Sequence, residues 1–206
     1  MGLVRIEAPS VLPITVERMK ARLRVDHAFD DTLIEELIGE ATDYCEGPEG
    51  FLARALVTQT WELVLDEFPD NEIRIPLPPL QEVVSVTYDD GDGIAQVLDT
   101  SEYTVDTSNQ ESGYGWILPV SSGSWPSTFD GINAVRIRFV AGYPATDDSP
   151  PDLRGNIPGS IISAISLLVG SMYEHREDIV VGQAASRIPR NAEDLLRRKR
   201  MHLGMA

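Results

Sequence analysis

Leu56-Val57-Thr58-Gln59-Thr60-Trp61-Glu62-Leu63-Val64-Leu65 is where the periodicity of this chain changes. Val57, Gln59, Trp61, Leu63 and Leu65 alternate with Thr58, Thr60 and Glu62, a period of two that puts one strand face in a core and the other in water. The signal repeats downstream. Ile73-Arg74-Ile75-Pro76-Leu77-Pro78-Pro79-Leu80 is extended and stiffened by proline, which suits a sheet edge because proline cannot donate to a ladder. Val83 to Tyr88 runs into the turn signal Asp89-Asp90-Gly91-Asp92-Gly93 and on into Ile94 to Leu98, the pattern of a hairpin. Further strands are expected at Glu102 to Asp106, Tyr114 to Leu118 and Ala134 to Val140. In the last, Val135, Ile137 and Phe139 alternate with Arg136 and Arg138. The middle of the chain therefore reads as a small antiparallel sheet system.

On either side the period is helical. Thr15 suits an N-cap, with Glu17 in the first turn and Ile14 and Met19 spaced as a hydrophobic staple. Val16, Met19 and Leu23 then share a face. A second helix starts at Asp30 or Asp31, carries Leu33, Ile34, Leu37, Ile38, Ala41, Tyr44 and Cys45, and stops at Gly47-Pro48, where glycine can take a left-handed cap. After a loop rich in proline and acid from Pro144 to Pro158, apolar residues from Ile161 to Tyr173 wrap most of the way round a helix that should be buried on several sides. A last helix, with Asn191 as its expected cap, carries Leu195, Leu196 and a basic cluster. The fold class that follows is α+β: a core of about four helices drawn from both ends, with an inserted antiparallel β region. The expected divisions are residues 1–52 for the N-terminal helices, 53–145 for the β insertion, 146–180 for a core helix and 181–206 for a basic C-terminal arm.

The bulk numbers bound the function. A chain of 206 residues with 42% hydrophobic content can hold one globular domain, or a compact domain with a large insertion. The stretch Ile161 to Tyr173 is broken by Ser163, Ser166, Gly170 and Ser171 and falls short of the ~20 residues of a membrane span. The first residues lack the basic start and apolar core of a secretory signal, so synthesis in the cytoplasm is expected. Cys45 is the single cysteine, which excludes an internal disulfide and a zinc site built on several thiolates. A net charge of −16 argues against a general nucleic-acid binder. The charge is uneven, however: Arg187, Arg190, Arg197, Arg198, Lys199 and Arg200 face only Glu193 and Asp194 in the final stretch. An acidic body with a basic tail suggests head-to-tail contact with another copy or docking on an acidic partner.

No reactive constellation emerges. His27, His175 and His202 lie in different segments, none at a metal-ligand spacing. Asp89, Asp90 and Asp92 invite a calcium reading but miss the sixth-position glycine and twelfth-position glutamate of a calcium loop, so a plain hairpin turn is favoured. Gly91-Asp92-Gly93 leads into a strand where a dinucleotide fingerprint must open a helix. No phosphate-binding loop and no nucleophile elbow occurs. The chain reads as a non-enzyme without cofactor or metal. Trp61 belongs in the core, whereas Trp116 and Trp125 could meet a glycan or a protein partner, which makes a binding module of the β region the alternative function. A nucleic-acid contact through Arg197, Arg198, Lys199 and Arg200 is a third.

The early helix ending Leu23-Arg24-Val25, Asp30-Asp31 and the helix through Leu37, then Thr58-Gln59-Thr60-Trp61, resemble the start of phage head-tail connector proteins of the subgroup with a β insertion. Ile75-Pro76-Leu77-Pro78-Pro79-Leu80 leading into Val83-Val84-Ser85-Val86-Thr87-Tyr88, Phe139-Val140-Ala141-Gly142-Tyr143, and the helix closing in Tyr173-Glu174-His175-Arg176-Glu177 fit the same pattern. The resemblance runs in order from about Pro13 to Glu177. Adaptors of gene transfer agents are similar.

The resemblance implies a ring, dodecameric in the mature particle, under the portal at the head-tail interface of the virion. Such a ring lengthens the DNA channel, lets DNA pass without specific binding, and hands it to a tail-side connector or stopper protein. It further implies that the segment from about Val181 grips the portal, which nominates Arg187, Arg190, Leu195, Leu196, Arg197, Arg198, Lys199 and Arg200. For the contact between copies the all-round apolar helix nominates Ile161, Ile165, Leu168 and Met172, since a ring needs one patch to meet a different patch on the next copy.

Overall fold

The computed structural model describes residues 2–108, 113–120, 123–175 and 189–201. Two compact units divide the chain: Met1–Ser10 with Ala55–Pro144, and Val11–Arg54 with Ala145–Ala206.

In the first unit the strands are β1 (Gly2–Glu7), β2 (Gln59–Leu65), β3 (Ile73–Ile75), β4 (Leu80–Asp89), β5 (Ala95–Val97), β6 (Tyr103–Asp106), β7 (Gly115–Pro119) and β8 (Val135–Ala141). They form an antiparallel five-stranded sheet in the order β1-β2-β8-β4-β5 and a three-stranded sheet in the order β3-β7-β6. The alternation in β2 is realised: Gln59, Trp61 and Leu63 are buried while Thr60, Glu62 and Val64 stay partly exposed. A buried amide needs partners, and Gln59 has them locally. Its Nε2 donates to the Val57 carbonyl at 3.1 Å, and its Oε1 accepts from Trp61 Nε1 at 3.0 Å. Val135, Ile137 and Phe139 of β8 join Trp61, Leu63 and Val86 in a core that also takes Ile73, Ile75, Tyr103 and Ile117 from the smaller sheet. On the opposite side of the ladder, Arg138 pairs with Glu62 at 3.0 Å and Arg136 with Asp89 at 3.4 Å. The proline-stiffened segment supplies β3, an edge strand as its composition predicts.

Sequence segments far apart meet at one corner of this unit. Gln81 Nε2 donates to Thr58 Oγ1 at 2.9 Å and to the Gly142 carbonyl at 2.8 Å, and Gly142 N–H donates to the Pro79 carbonyl at 2.9 Å. Gly142 has φ of 113°, and a Cβ there would lie 2.4 Å from the Val57 carbonyl oxygen, so the position admits only glycine.

The second unit contains α1 (Val16–Leu23), α2 (Asp31–Cys45), α3 (Gly159–Glu174) and α4 (Arg190–Arg197). Thr15 caps α1 by accepting from the Arg18 N–H at 3.2 Å, and Ile14 and Met19 are both buried as the staple requires. α2 buries Ile34, Leu37, Ile38, Ala41 and Cys45 on one face, and the chain leaves it through Gly47 at φ 91°. α3 packs against α1, α2 and α4. Its Ile161, Ile162, Ile165, Leu168 and Val169 are buried, each worth about 1.5–3 kcal/mol relative to exposure. Among the described residues, no helix is long and apolar enough to cross a membrane.

Three features depart from the sequence pattern. Residues 2–7, whose pattern predicts no strand, form β1. In this edge strand the apolar Val4 and Ile6 are exposed, while Arg5 lies over the Trp61 ring at 5.8 Å, so its polarity alternates in the wrong sense for a core strand. α4 begins at Arg190, with Pro189 in the cap position and Asn191 already inside the helix. Pro189 has φ −57° and ψ 123°, and no side chain caps the helix. Finally, the basic segment is seated at α4, where Ala192 and Leu196 are buried and the helix packs on α3.

Candidate functional site

Among the described residues, those singled out for chemistry are not assembled into a reactive site. His27 is exposed, His175 Nδ1 lies 3.0 Å from the Ser171 carbonyl of its own helix, and His202 falls outside the described residues. Asp90 accepts from the backbone N–H groups of Asp92 and Ile94 at 3.1 and 3.0 Å and from Gln96 Nε2 at 2.7 Å. Its carboxylate therefore holds the hairpin turn. The Gln96 bond, then the Ile94 N–H, keep its carboxyl below the usual range. Among the described residues no group of three His, Cys, Asp or Glu side chains is placed to hold a metal ion. Cys45 is buried, and desolvation pushes its thiol up to about 12, which leaves it protonated and unreactive. A cleft of about 340 Å³ is lined by Asp66, Glu67, Thr128, Phe129, Asp130 and Gly131, and its lining holds no histidine, lysine or cysteine beside the Thr128 hydroxyl.

The tryptophans proposed as ligand contacts have separate surroundings. Trp125 stacks on Phe68 at 5.0 Å and 4°, Phe68 meets Tyr88 edge-on at 5.6 Å, and Trp125 Nε1 donates to the Asn71 carbonyl at 2.6 Å. Trp116 sits in β7 between Arg74 of β3 and Asp106 of β6, partly buried.

The candidate contact surfaces lie on the helical unit. Ile161, Ile165 and Leu168 are taken up by this chain's own core, and Met172 alone of that set keeps accessible surface. The basic segment divides in the same way. Arg190, Arg197, Arg198 and Arg200 are exposed and Lys199 and Leu195 are half-buried, while Leu196 is buried; Arg187 lies outside the described residues. Arg197 is drawn back to Glu193 one turn earlier, at 2.7 Å. Arg200 stacks over Phe51 at 5.0 Å.

Arg54 fixes the end of this segment. It is 2% exposed, its Nε donates to the Lys199 carbonyl at 2.7 Å and its Nη2 to Met201 Sδ at 3.0 Å, while Met201 N–H donates to the Leu52 carbonyl at 3.0 Å. Sequence reasoning missed this arginine because nothing local marks a guanidinium destined for burial. It also missed the outer face of α2. Glu35, Glu36, Glu40 and Asp43 are exposed there, α2 contains no basic residue, and none of the four forms an ion pair among the described residues. The spacing Glu36, Glu40, Asp43, an i, i+4, i+7 stripe, was the available signal. Just before α2, Phe29 is 94% exposed, the barest large apolar side chain among the described residues.

Comparisons with known proteins converge. A family model described as phage gp6-like head-tail connector protein matches residues 13–116, half of the chain. No curated protein sequence matches. Among solved structures, a chain in the virion of a native gene transfer agent (GTA) particle superposes with a TM-score of 0.76 at 20% identity, covering 100% of this chain and 98% of that one. A chain in the neck of an empty GTA particle computed with C6 symmetry gives the same values. One in the neck of a native GTA particle computed with C12 symmetry gives a TM-score of 0.68 at 21% identity with the same coverage. At these identities the likeness is one of fold.

Proposed function

We infer the function from one premise: the chain belongs to the phage gp6-like head-tail connector protein family. In this reading it is a structural subunit that works as one copy in a ring under the portal. The ring extends the DNA channel, joins head to tail, and passes DNA to a tail-side connector or stopper protein. The family match over residues 13–116 carries the reading. Support for the ring comes from the full-length fold likeness to chains of particle necks computed with C12 and C6 symmetry, and a twelve-copy ring fits the first of these. The net charge of −16 agrees with a conduit, since an acidic wall repels the phosphate backbone and lets DNA slide through unbound. The role asks for complementary surfaces and no catalysis. Its site of action is the particle neck, whether the particle is a phage or a gene transfer agent.

Deletion of the gene in the producing strain tests this directly. The expected result is filled heads and separate tails; particles that assemble and deliver DNA normally without the chain would overturn it.

A further inference from the structure

A closed ring needs two different surfaces on each copy, because one patch must meet another patch on the next. Ile161, Ile165 and Leu168 cannot supply them, being buried within the chain. The helical unit nevertheless carries two exposed stripes of opposite sign. Glu36, Glu40 and Asp43 line the outer face of α2, and Arg190, Arg197 and Arg198 project from α4. At 1.5 Å of rise per residue, Glu36 to Asp43 spans about 10 Å and Arg190 to Arg198 about 12 Å, so the stripes match in length. Among the described residues no ion pair joins one stripe to the other. Among the described residues the acidic three have no ion pair, and in α4 only Arg197 has one, to Glu193. Both helices are already seated on α3, which keeps their outward faces available to another molecule.

Resting on the connector reading, we propose that α2 of one copy and α4 of the next form the contact that closes the ring. Glu36, Glu40 and Asp43 face Arg190, Arg197 and Arg198, and Phe29 at the amino end of α2 is the apolar anchor. This gives the basic helix a second copy as its acidic partner in place of the portal. Complementary charge of this kind sets register and rejects wrong partners, and a bare aromatic supplies the desolvated centre that charges alone do not.

The test uses the full-length chain in four forms: unaltered, Glu36→Lys/Glu40→Lys/Asp43→Lys, Arg190→Glu/Arg198→Glu, and Phe29→Ser, whose fold is untouched because the side chain is 94% exposed. Self-association is followed by sedimentation velocity at low ionic strength, alone and with portal-bearing heads, and circular dichroism checks the helices. Each charge-reversed chain is expected to associate at least about tenfold more weakly than the unaltered one. Their equimolar mixture recovers association, because the lysines of one meet the glutamates of the other. Reversed chains that associate as well as the unaltered chain overturn this contact and leave the ring standing. Loss of binding to portal-bearing heads by Arg190→Glu/Arg198→Glu with self-association intact overturns it in favour of portal docking. An unaltered chain that never associates, alone or on heads, overturns the ring reading itself.

Discussion

Replacing Arg54 by methionine probes how the C-terminal helix is held. Arg54→Met keeps an unbranched apolar stem in a site where the arginine is 2% exposed, but removes the Nε donor to the Lys199 carbonyl (2.7 Å) and the Nη2 donor to Met201 Sδ (3.0 Å). A hydrogen bond from a charged donor contributes about 1.5–3 kcal/mol, and a thioether is a weak acceptor, so the expected loss is about 2–4 kcal/mol. The loss should fall first on the end of α4, leaving the backbone bond from Met201 N–H to the Leu52 carbonyl and the packing of Ala192 and Leu196 to hold the segment. Urea unfolding gives the global value, and hydrogen exchange of peptides covering residues 190–201 gives the local one. Exchange should accelerate there more than in α2 or α3. A change below about 0.5 kcal/mol, the scatter of ordinary surface substitutions, with unaltered exchange in α4 would refute the view that this arginine ties the segment down.

Phe29→Ser should leave the melting temperature of the isolated chain unchanged while weakening ring assembly about 30-fold or more, the scale of an interface anchor; a shifted melting temperature with intact assembly would contradict this. Gly142→Ala forces a side chain to φ 113° and to 2.4 Å from the Val57 carbonyl, and should cost about 2–5 kcal/mol by chemical denaturation; a neutral result would show that the corner can shift. Asp90, Asp99 and Asp106 have carboxyls held below their ordinary range by hydrogen bonds, chiefly from Gln96, the Ser101 N–H and the Ser108 hydroxyl respectively. A lowered folded value means that their contribution is complete above the ordinary carboxylate range and is lost as pH falls through the lowered value. Melting temperature should therefore decline on acidification, less so in the Asp90→Asn/Asp99→Asn/Asp106→Asn chain; equal declines would dismiss the turns as a cause. Cys45 should resist alkylation at mildly alkaline pH in the native chain and react on unfolding, and rapid labelling of the folded chain would contradict its burial.

The β region was legible where one strand face is buried and the other wet. Trp61 and Leu63, or Val135, Ile137 and Phe139, announce a period of two because the solvent enforces it on the intervening residues. β1 escaped because an edge strand with exposed Val4 and Ile6 has no such enforcement. The expected cap of α4 lies two residues past the observed one, because Asn191 is the better side-chain cap by chemistry, yet the helix already begins at Arg190 behind Pro189. The candidate surfaces were harder still. Hydrophobicity says that Ile161, Ile165 and Leu168 are covered but not by which chain, and here α1, α2 and α4 of the same chain cover α3. An acidic stripe such as Glu36, Glu40 and Asp43 reads as a solvated face until the structure shows that, among the described residues, no cation pairs with it.

The central claim is that this chain is one of a closed set of copies lying between head and tail. Cryo-electron microscopy of the neck in particles carrying an epitope-tagged chain tests it most directly. The account predicts tag density repeated about the particle axis in a closed ring, directly below the portal and around an open channel. Purified particles with joined heads and tails but no tagged chain in the neck would contradict it.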